Sequence, residues 1–152
     1  KIVVETLIPD FKGDKIAIKK VIDSGAEIIS HNMETVKELY STVRPQAIYN
    51  RSLEVIKEIS NSTAHSKSGV MLGLGESEKE VLTLLEDLCK VSCEFLTIGQ
   101  YLAPSEKHHP VIDYITPDKF SWYEKKAKNM GFHFVKAGVF VRSSYKAAEA
   151  VL

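Results

Sequence analysis

The sequence has few cysteines and no excess of positive or negative charge, and each of these two absences excludes a class of protein. Its 152 residues include only two cysteines, and its 20 basic residues balance 20 acidic ones, so the formal net charge is zero. Two cysteines are too few for a disulfide scaffold and indicate a reducing compartment. Zero net charge gives no general attraction to nucleic acid or anionic lipid, and we expect neither as a partner.

Long apolar runs are missing as well. No stretch approaches the roughly 20 residues that cross a bilayer, and no signal peptide is visible, so we expect no membrane association. The composition, 44% hydrophobic and 26% charged, is that of a globular domain. The chain opens Lys1-Ile2-Val3-Val4, without an initiator Met and already inside an apolar run. We therefore expect a piece of a longer protein.

Short apolar, β-branched segments alternate with amphipathic segments along the chain. Strands are predicted over residues 2–8, 27–31, 68–74, 95–102 and 132–137. Helices are predicted after caps at Asp14, Asn32, Ser77 and Thr116, from near Ser52, and in the Ala-rich tail from Lys146. This alternation predicts βαβ units and a parallel α/β sheet. A (β/α) barrel, or part of one, is favoured, with a doubly wound sheet as the alternative.

Ligands in such folds bind where strands end, so the loops after the strands are candidate sites. His31-Asn32-Met33-Glu34 is interpreted either as a helix cap with a solvated Glu, or as a polar cluster for a sugar hydroxyl or an amino group. The glycines of residues 69–76 would let the backbone approach a ligand. Position 78 is Glu78 rather than the third Gly of a dinucleotide-binding loop, and a plain tight turn is equally consistent.

The remaining metal-ligating residue types form no recognisable site. Cys89 and Cys93 match the first spacing of a Cys-x3-Cys-x2-Cys motif, but position 96 is Leu96, so we interpret both as structural. His108 and His109 are adjacent and cannot readily face one metal. The residues alone therefore identify no metal site, catalytic triad or acid–base pair.

Taken in order, the loop segments resemble lipoyl synthase, a family of radical S-adenosylmethionine enzymes. The segments that carry the resemblance are PDFKGD at 9–14, HNMETV at 31–36, VRP at 43–45, YNRSL at 49–53, KSGVMLGLGE at 67–76, LTIGQYL at 96–102, Pro104-Ser105 with His108 and Pro110-Val111, and VRSSY at 141–145. The resemblance covers only the C-terminal half of the family. It implies that residues 1–152 are the later part of a partial (β/α)6 TIM-like radical SAM barrel, with outer helices and a C-terminal tail.

The resemblance also implies an activity and its cofactors. Family members insert sulfur at C6 and C8 of an octanoyl group held on a carrier-protein lysine, and they use S-adenosylmethionine and two [4Fe–4S] clusters. The family's cluster motifs, Cys-x3-Cys-x2-Cys and Cys-x4-Cys-x5-Cys, lie upstream and are absent here, so most cluster ligands would lie outside this chain, which we expect to be inactive alone.

Partners and compartment follow from the same resemblance. The expected carriers are octanoylated dehydrogenase E2 subunits and the glycine-cleavage H protein. The expected electron donor is a ferredoxin or a flavodoxin. The bacterial cytoplasm is favoured as the compartment, and the mitochondrion is expected if the source is eukaryotic.

Individual site residues are carried over by position. Ser144 matches the family's serine ligand to the auxiliary cluster, and Arg142 is expected to position that loop. The expected contacts to S-adenosylmethionine are Asn32, Glu34, Arg51 and the glycine-rich stretch with Gly73, Gly75 and Glu76. Lys67, Gln100 and His108 are further cofactor-binding candidates without assigned roles. One departure is Ala137-Gly138-Val139-Phe140, where many relatives have Ser-Gly-Pro before the Arg.

Two other functions remain open from the sequence. One is a cluster-free half-barrel that binds a carrier protein or a nucleotide. The other is an ordinary barrel enzyme, such as an aldolase, for which Lys67 is the sole reasonable Schiff-base lysine.

Overall fold

A computed structural model describes residues 2–145 of the chain, and the predicted helical tail from Lys146 lies outside that range. One sheet carries β1 (Glu5–Leu7), β2 (Ile28–Ser30), β3 (His65–Leu72), β4 (Phe95–Gln100) and β5 (Phe134–Gly138). The helices are α1 (Lys15–Ile22), α2 (Tyr40–Val43), α3 (Tyr49–Ser60), α4 (Glu78–Lys90) and α5 (Pro117–Met130), with 3-10 turns at Phe11–Gly13 and Lys37–Leu39.

The strand order separates the two predicted architectures. Every strand pairs in parallel with the next one along the chain, in the order β1-β2-β3-β4-β5. A doubly wound sheet reverses its order at a switch point, whereas a barrel adds strands in sequence. The predicted parallel α/β fold is therefore confirmed, and the order is that of an arc of a barrel.

Helix boundaries follow local capping chemistry. The Asp14 carboxylate accepts from the Ile16 and Ala17 amides of α1, and Ser77 and Glu80 form the predicted capping box of α4. Thr116 caps α5, Pro117 stands at its first position, and Gly131 ends it in the left-handed conformation. Because these signals are local, the sequence predicts these helices closely.

One predicted helix start is wrong. Asn32 does not cap a helix, because the chain after it pairs with β3 instead: the Glu34 N–H donates to the Gly69 carbonyl, and the Met71 N–H donates to the Glu34 carbonyl. The helical turns begin only at Lys37. The next helix, α3, begins at Tyr49, three residues before the predicted start near Ser52.

The two faces of the sheet have different characters. The outer face packs against α3, α4 and α5 through a continuous apolar core, in which Leu96 and Ile98 of β4 meet Leu84, Leu85 and Leu88 of α4. The inner face carries polar residues, including Glu5, Lys67 and Thr97, at alternating positions of the strands. An inner face lined by polar groups suits a ligand-binding lumen better than a filled core.

Candidate functional site

Two clefts lie at the ends of the strands and share one wall. The larger has a volume of about 700 Å³ and opens beside the loops after β1 and β2. The smaller, of about 230 Å³, lies over the ends of β3 and β4. Asn32 and Glu34, in the loop after β2, line both clefts. The polar cluster expected from the sequence therefore stands at the junction of the two cavities.

Glu34 occupies this wall in an uncommon backbone conformation. Its φ of 65° is left-handed, and its backbone hydrogen bonds to β3 hold it there. Burial raises the pKa of the Glu34 carboxyl, against a hydrogen bond from Asn32 and the positive charge of Arg44. A strained, partly desolvated carboxyl beside an amide is an arrangement found at functional sites.

The larger cleft contains an ion pair and a second arginine. Arg51 Nε donates to Asp10 Oδ2 at 2.6 Å, and both side chains are about four-fifths buried. Burial alone would raise the pKa of Asp10, but the Lys12 amide and Arg51 together lower it. Arg44 Nη1 donates to the carbonyls of Asn32 and Met33 at 3.2 and 3.0 Å, which fixes the shared wall.

The smaller cleft brings the chain's last described residues to the strand ends. Arg142 and Ser143 line it together with Gly69, Gly99 and the shared wall, so three of the predicted site residues, Asn32, Glu34 and Arg142, meet there. Arg142 Nη1 donates to the Val141 carbonyl at 2.7 Å. Ser144 is exposed and does not line the cleft.

The glycine-rich loop after β3 binds its own carboxylate. Glu76 Oε1 accepts from the Gly73 N–H at 2.7 Å, and Glu76 Oε2 accepts from the Leu74 N–H at 2.9 Å. Gly73 and Gly75 have φ values of 99° and 108°, which favour glycine. The predicted residues Gly73, Gly75 and Glu76 thus form one structured turn, in which the Gly73 and Leu74 amides are already satisfied.

Three other predicted residues stand apart from both clefts. Lys67 is fully buried, and its Nζ contacts both carboxylate oxygens of Glu5 at 2.8 Å. Gln100 is also buried, and its side chain bonds backbone groups of the loop before α5. His108 is exposed, with Nδ1 2.9 Å from Ser105 Oγ.

The two cysteines do not offer a cluster site. Cys93 is buried, and burial raises its pKa to about 12, while Cys89 is half-buried with a pKa also raised by burial. A cluster ligand must be a thiolate, which both environments disfavour. Among residues 2–145, no group of three or more His, Cys, Asp or Glu side chains could hold a metal ion.

His31 is a cleft residue that the sequence placed in the polar cluster of residues 31–34 without a role of its own. Its ring is buried at the floor of the larger cleft, with Nδ1 3.0 Å from the Ile8 carbonyl. A carbonyl only accepts, so Nδ1 carries a hydrogen, as it can in both the neutral and the protonated ring. Burial lowers the pKa of His31. Its signal in the sequence was only its place at a strand end.

His31 should make folding stability depend on pH. The pKa of His31 in the folded chain lies below its ordinary value of 6.5. Below about pH 6.5, His31 therefore binds a proton in the unfolded chain more readily than in the folded chain. Stability from this group is complete above that pH and falls as the pH drops. In urea unfolding between about pH 7.5 and 5.5, His31→Asn should reduce the loss of stability. His108→Asn, at an exposed ring, is the control, and an equal reduction there would contradict the assignment.

Comparison with known proteins finds that similar sequences belong to one family. The chain is 49% identical over 150 residues to a lipoyl synthase from Alkaliphilus metalliredigens, covering 97% of this chain and 52% of that protein. It is 53% identical over 144 residues to one from Christiangramia forsetii, covering 94% and 49%. A mitochondrial lipoyl synthase from Nematostella vectensis is 49% identical over 148 residues, covering 97% and 51%. The chain thus spans about half the length of these curated relatives.

Other comparisons bear on the fold alone. No family model matches the chain. An HMG-CoA lyase structure from Acinetobacter baumannii superimposes with a TM-score of 0.57 at 15% identity, covering 85% of this chain and 40% of that one. Within residues 2–145, no helix combines the length and the apolar character needed to cross a bilayer.

Proposed function

The chain belongs to the lipoyl synthase family, of whose members it spans about half, and on that premise we propose that it forms the later part of the catalytic barrel of an enzyme that makes protein-bound lipoyl groups. The reaction inserts sulfur at C6 and C8 of an octanoyl group on a carrier lysine. The observation that carries this proposal is identity near 50% across almost the whole chain. A cluster-free binding module would need no such similarity to an enzyme.

The clefts supply the polar contacts that S-adenosylmethionine would need. Its amino group and ribose hydroxyls are donors, which suit the Glu34 carboxylate and the Asn32 amide oxygen on the shared wall. Its carboxylate suits a guanidinium, and Arg51 and Arg142 stand on either side of that wall. We propose that the cofactor spans the junction, with Arg44 holding the wall in place.

The described residues do not fit a complete iron–sulfur site. A [4Fe–4S] cluster takes its ligands mainly from cysteine thiolates, and the two cysteines, one buried and one half-buried, line neither of the two clefts. Ser144 could supply one oxygen ligand, since it is exposed and follows Ser143, which lines the smaller cleft. The clusters, when bound, would supply the electron and the sulfur of the reaction. This chain's contribution would be the wall formed by Asn32 and Glu34 and the serine-bearing tail segment of residues 141–145.

The carriers and the compartment extend this proposal. We propose octanoylated dehydrogenase E2 subunits and the glycine-cleavage H protein as substrates, with a ferredoxin or flavodoxin as electron donor. The relatives come from bacteria and from a mitochondrion, and we propose the bacterial cytoplasm as the compartment, or the mitochondrion for a eukaryotic source.

A chimera tests the proposal directly. The matching 150 residues of the Alkaliphilus metalliredigens enzyme would be replaced by this chain, and 5′-deoxyadenosine and lipoyl product would be measured together under anaerobic turnover. We expect both products. The chimera with Glu34→Gln should lose both, because the cofactor's amino group would lose a charged partner. A folded chimera that binds its clusters but makes neither product would overturn the proposal.

The isolated chain should assemble no stoichiometric [4Fe–4S] cluster. Neither Cys89 nor Cys93 is placed to ionise, and a site-differentiated cluster needs three protein thiolates. Anaerobic reconstitution followed by iron and sulfide analysis is the measurement. The double variant Cys89→Ser/Cys93→Ser should give the same background iron content. A stoichiometric cluster that this double variant abolishes would contradict the structural role of the cysteines.

A further inference from the structure

Gly99 lies on the inner face of β4, at the floor of the smaller cleft. It is buried, and it pairs in register with Met71 of β3 and Gly138 of β5. The backbone φ of Gly99 does not lie in the left-handed region. An alanine could therefore adopt the same backbone conformation, and any requirement for glycine here must come from space.

That space is filled by the backbone of Val141, the first residue of the tail segment 141–145. A Cβ atom added at Gly99 would lie 2.2 Å from the Val141 carbonyl oxygen and 3.2 Å from the Val141 carbonyl carbon. It would also lie 3.4 Å from Arg142 Nη1. Real Cβ atoms essentially never approach another heavy atom within 3.0 Å. The tail can rest on β4 in this way only because position 99 has no side chain.

The close contact between Gly99 and the Val141 carbonyl, called the Gly99 seat, holds a short hydrogen-bonded turn in place. The Val141 N–H donates to the Gly138 carbonyl at 3.1 Å, and the Val141 side chain is buried. The Val141 carbonyl, held over Gly99, accepts from Arg142 Nη1, and the Tyr145 N–H donates to the Arg142 carbonyl at 2.9 Å. Residues 141–145 thus form one unit, and a displaced Val141 carbonyl would carry Arg142 and Ser144 with it.

We infer that Gly99 is a positioning residue for sulfur insertion: the missing side chain on β4 seats the Val141 carbonyl against the sheet and thereby sets where Arg142 and Ser144 lie. Gly99 touches no substrate in this role and acts through the tail. The inference rests on the proposed function, because it gives the tail serine a place in the reaction. The seating itself is a property of the fold and can be tested separately.

Trypsin digestion of the full chain tests the seating. Arg142 is exposed, and cleavage after it requires the tail to open locally, so the cleavage rate reports how firmly the tail is held. Gly99→Ala should speed this cleavage about tenfold relative to cleavage after the exposed Lys107. The matched control is Gly138→Ala, in the same register, whose Cβ would meet only Val141 Cγ2 at 3.4 Å. Equal rates for the two variants would overturn the inference.

The chimera then tests the consequence for the reaction. A displacement on the ångström scale typically costs on the order of 100-fold in rate, so Gly99→Ala should lower the ratio of lipoyl product to 5′-deoxyadenosine by about that factor. A purely structural loss would lower both products together. An unmodified chimera that makes neither product would count against the proposed function, whereas an unchanged ratio in Gly99→Ala would count against Gly99 alone.

A second variant keeps the test valid if Gly99→Ala fails to fold. Val141→Ala removes the buried side chain that anchors the same turn, without adding an atom to β4. It should also speed cleavage after Arg142 and lower the product ratio. If Val141→Ala folds and changes neither quantity, the seat does not position the tail and the inference is wrong.

Discussion

Ser144→Ala in the chimera is expected to stop lipoyl formation almost completely, while 5′-deoxyadenosine is still produced. The reason is a division of labour between the two clusters that the family implies. Radical generation would depend on cysteine ligands outside this chain and on the wall of Asn32 and Glu34. Sulfur delivery would depend on the cluster that Ser144 is proposed to ligate, through a hydroxyl oxygen that is a harder ligand than a thiolate. Both products would be quantified in the same anaerobic reaction.

Ser143→Ala is the matched control for this experiment. The family resemblance assigns the ligand to the second serine, so the first should tolerate the change with little loss. The structure makes the control demanding, because Ser143 lines the smaller cleft and Ser144 is exposed beside it. Loss of lipoyl product from Ser143→Ala alone would transfer the role to the neighbouring serine. Similar partial losses from both would indicate that the serines merely hold the tail.

Glu5→Gln is expected to lower the free energy of unfolding by about 3 kcal/mol, the lower end of the range for breaking a buried ion pair. Lys67 Nζ has no exposed surface and contacts both Glu5 oxygens, so removing the carboxylate leaves a buried charge without its partner. The lower end applies because the Glu5 side chain keeps 18% of its exposure. Urea unfolding measures the change. The double variant Lys67→Met/Glu5→Leu should recover most of it, since it buries no charge.

Glu58→Gln provides the control at equal distance. Lys15 Nζ lies 2.8 Å from Glu58 Oε1, as Lys67 does from Glu5, but the two side chains are 74% and 39% exposed. Solvent screens such a pair, and its loss should leave the unfolding midpoint unchanged within error. Equal destabilisation by Glu5→Gln and Glu58→Gln would mean that the burial of Lys67 does not matter to the fold.

The sequence predicts those parts of the structure that depend on neighbouring residues. The capping box of Ser77 and Glu80, and the start of α5 at Thr116 and Pro117, are complete within four residues of chain. Their positions could therefore be taken from spacing alone. The parallel sheet followed from the alternation of strands and helices, although its sequential order required the structure to distinguish it from a doubly wound sheet.

The parts that the sequence could not give depend on distant partners. The predicted cap at Asn32 was wrong because Glu34 pairs with β3, more than 30 residues away. Lys67 appeared as a site residue, yet its partner is Glu5, 62 positions earlier. The cofactor roles of Asn32, Glu34, Arg51 and Ser144 stay predictions. The structure brings Asn32, Glu34 and Arg142 to one cleft, and no spacing rule foresaw that the tail would meet β4.

The sequential strand order governs how this chain can be assembled. Each strand finds its partner in the next βα unit, at separations from 23 residues, between Glu5 and Ile28, to 39 residues, between Phe95 and Phe134. Each strand therefore needs only its neighbours along the chain for its sheet hydrogen bonds, much as each unit of a repeat protein contacts only the adjacent units. A cut between β2 and β3, or between β3 and β4, would leave at least one strand pair in each piece. Such a sheet lends itself to reconstitution from two separately synthesised polypeptides, joined along a single strand edge.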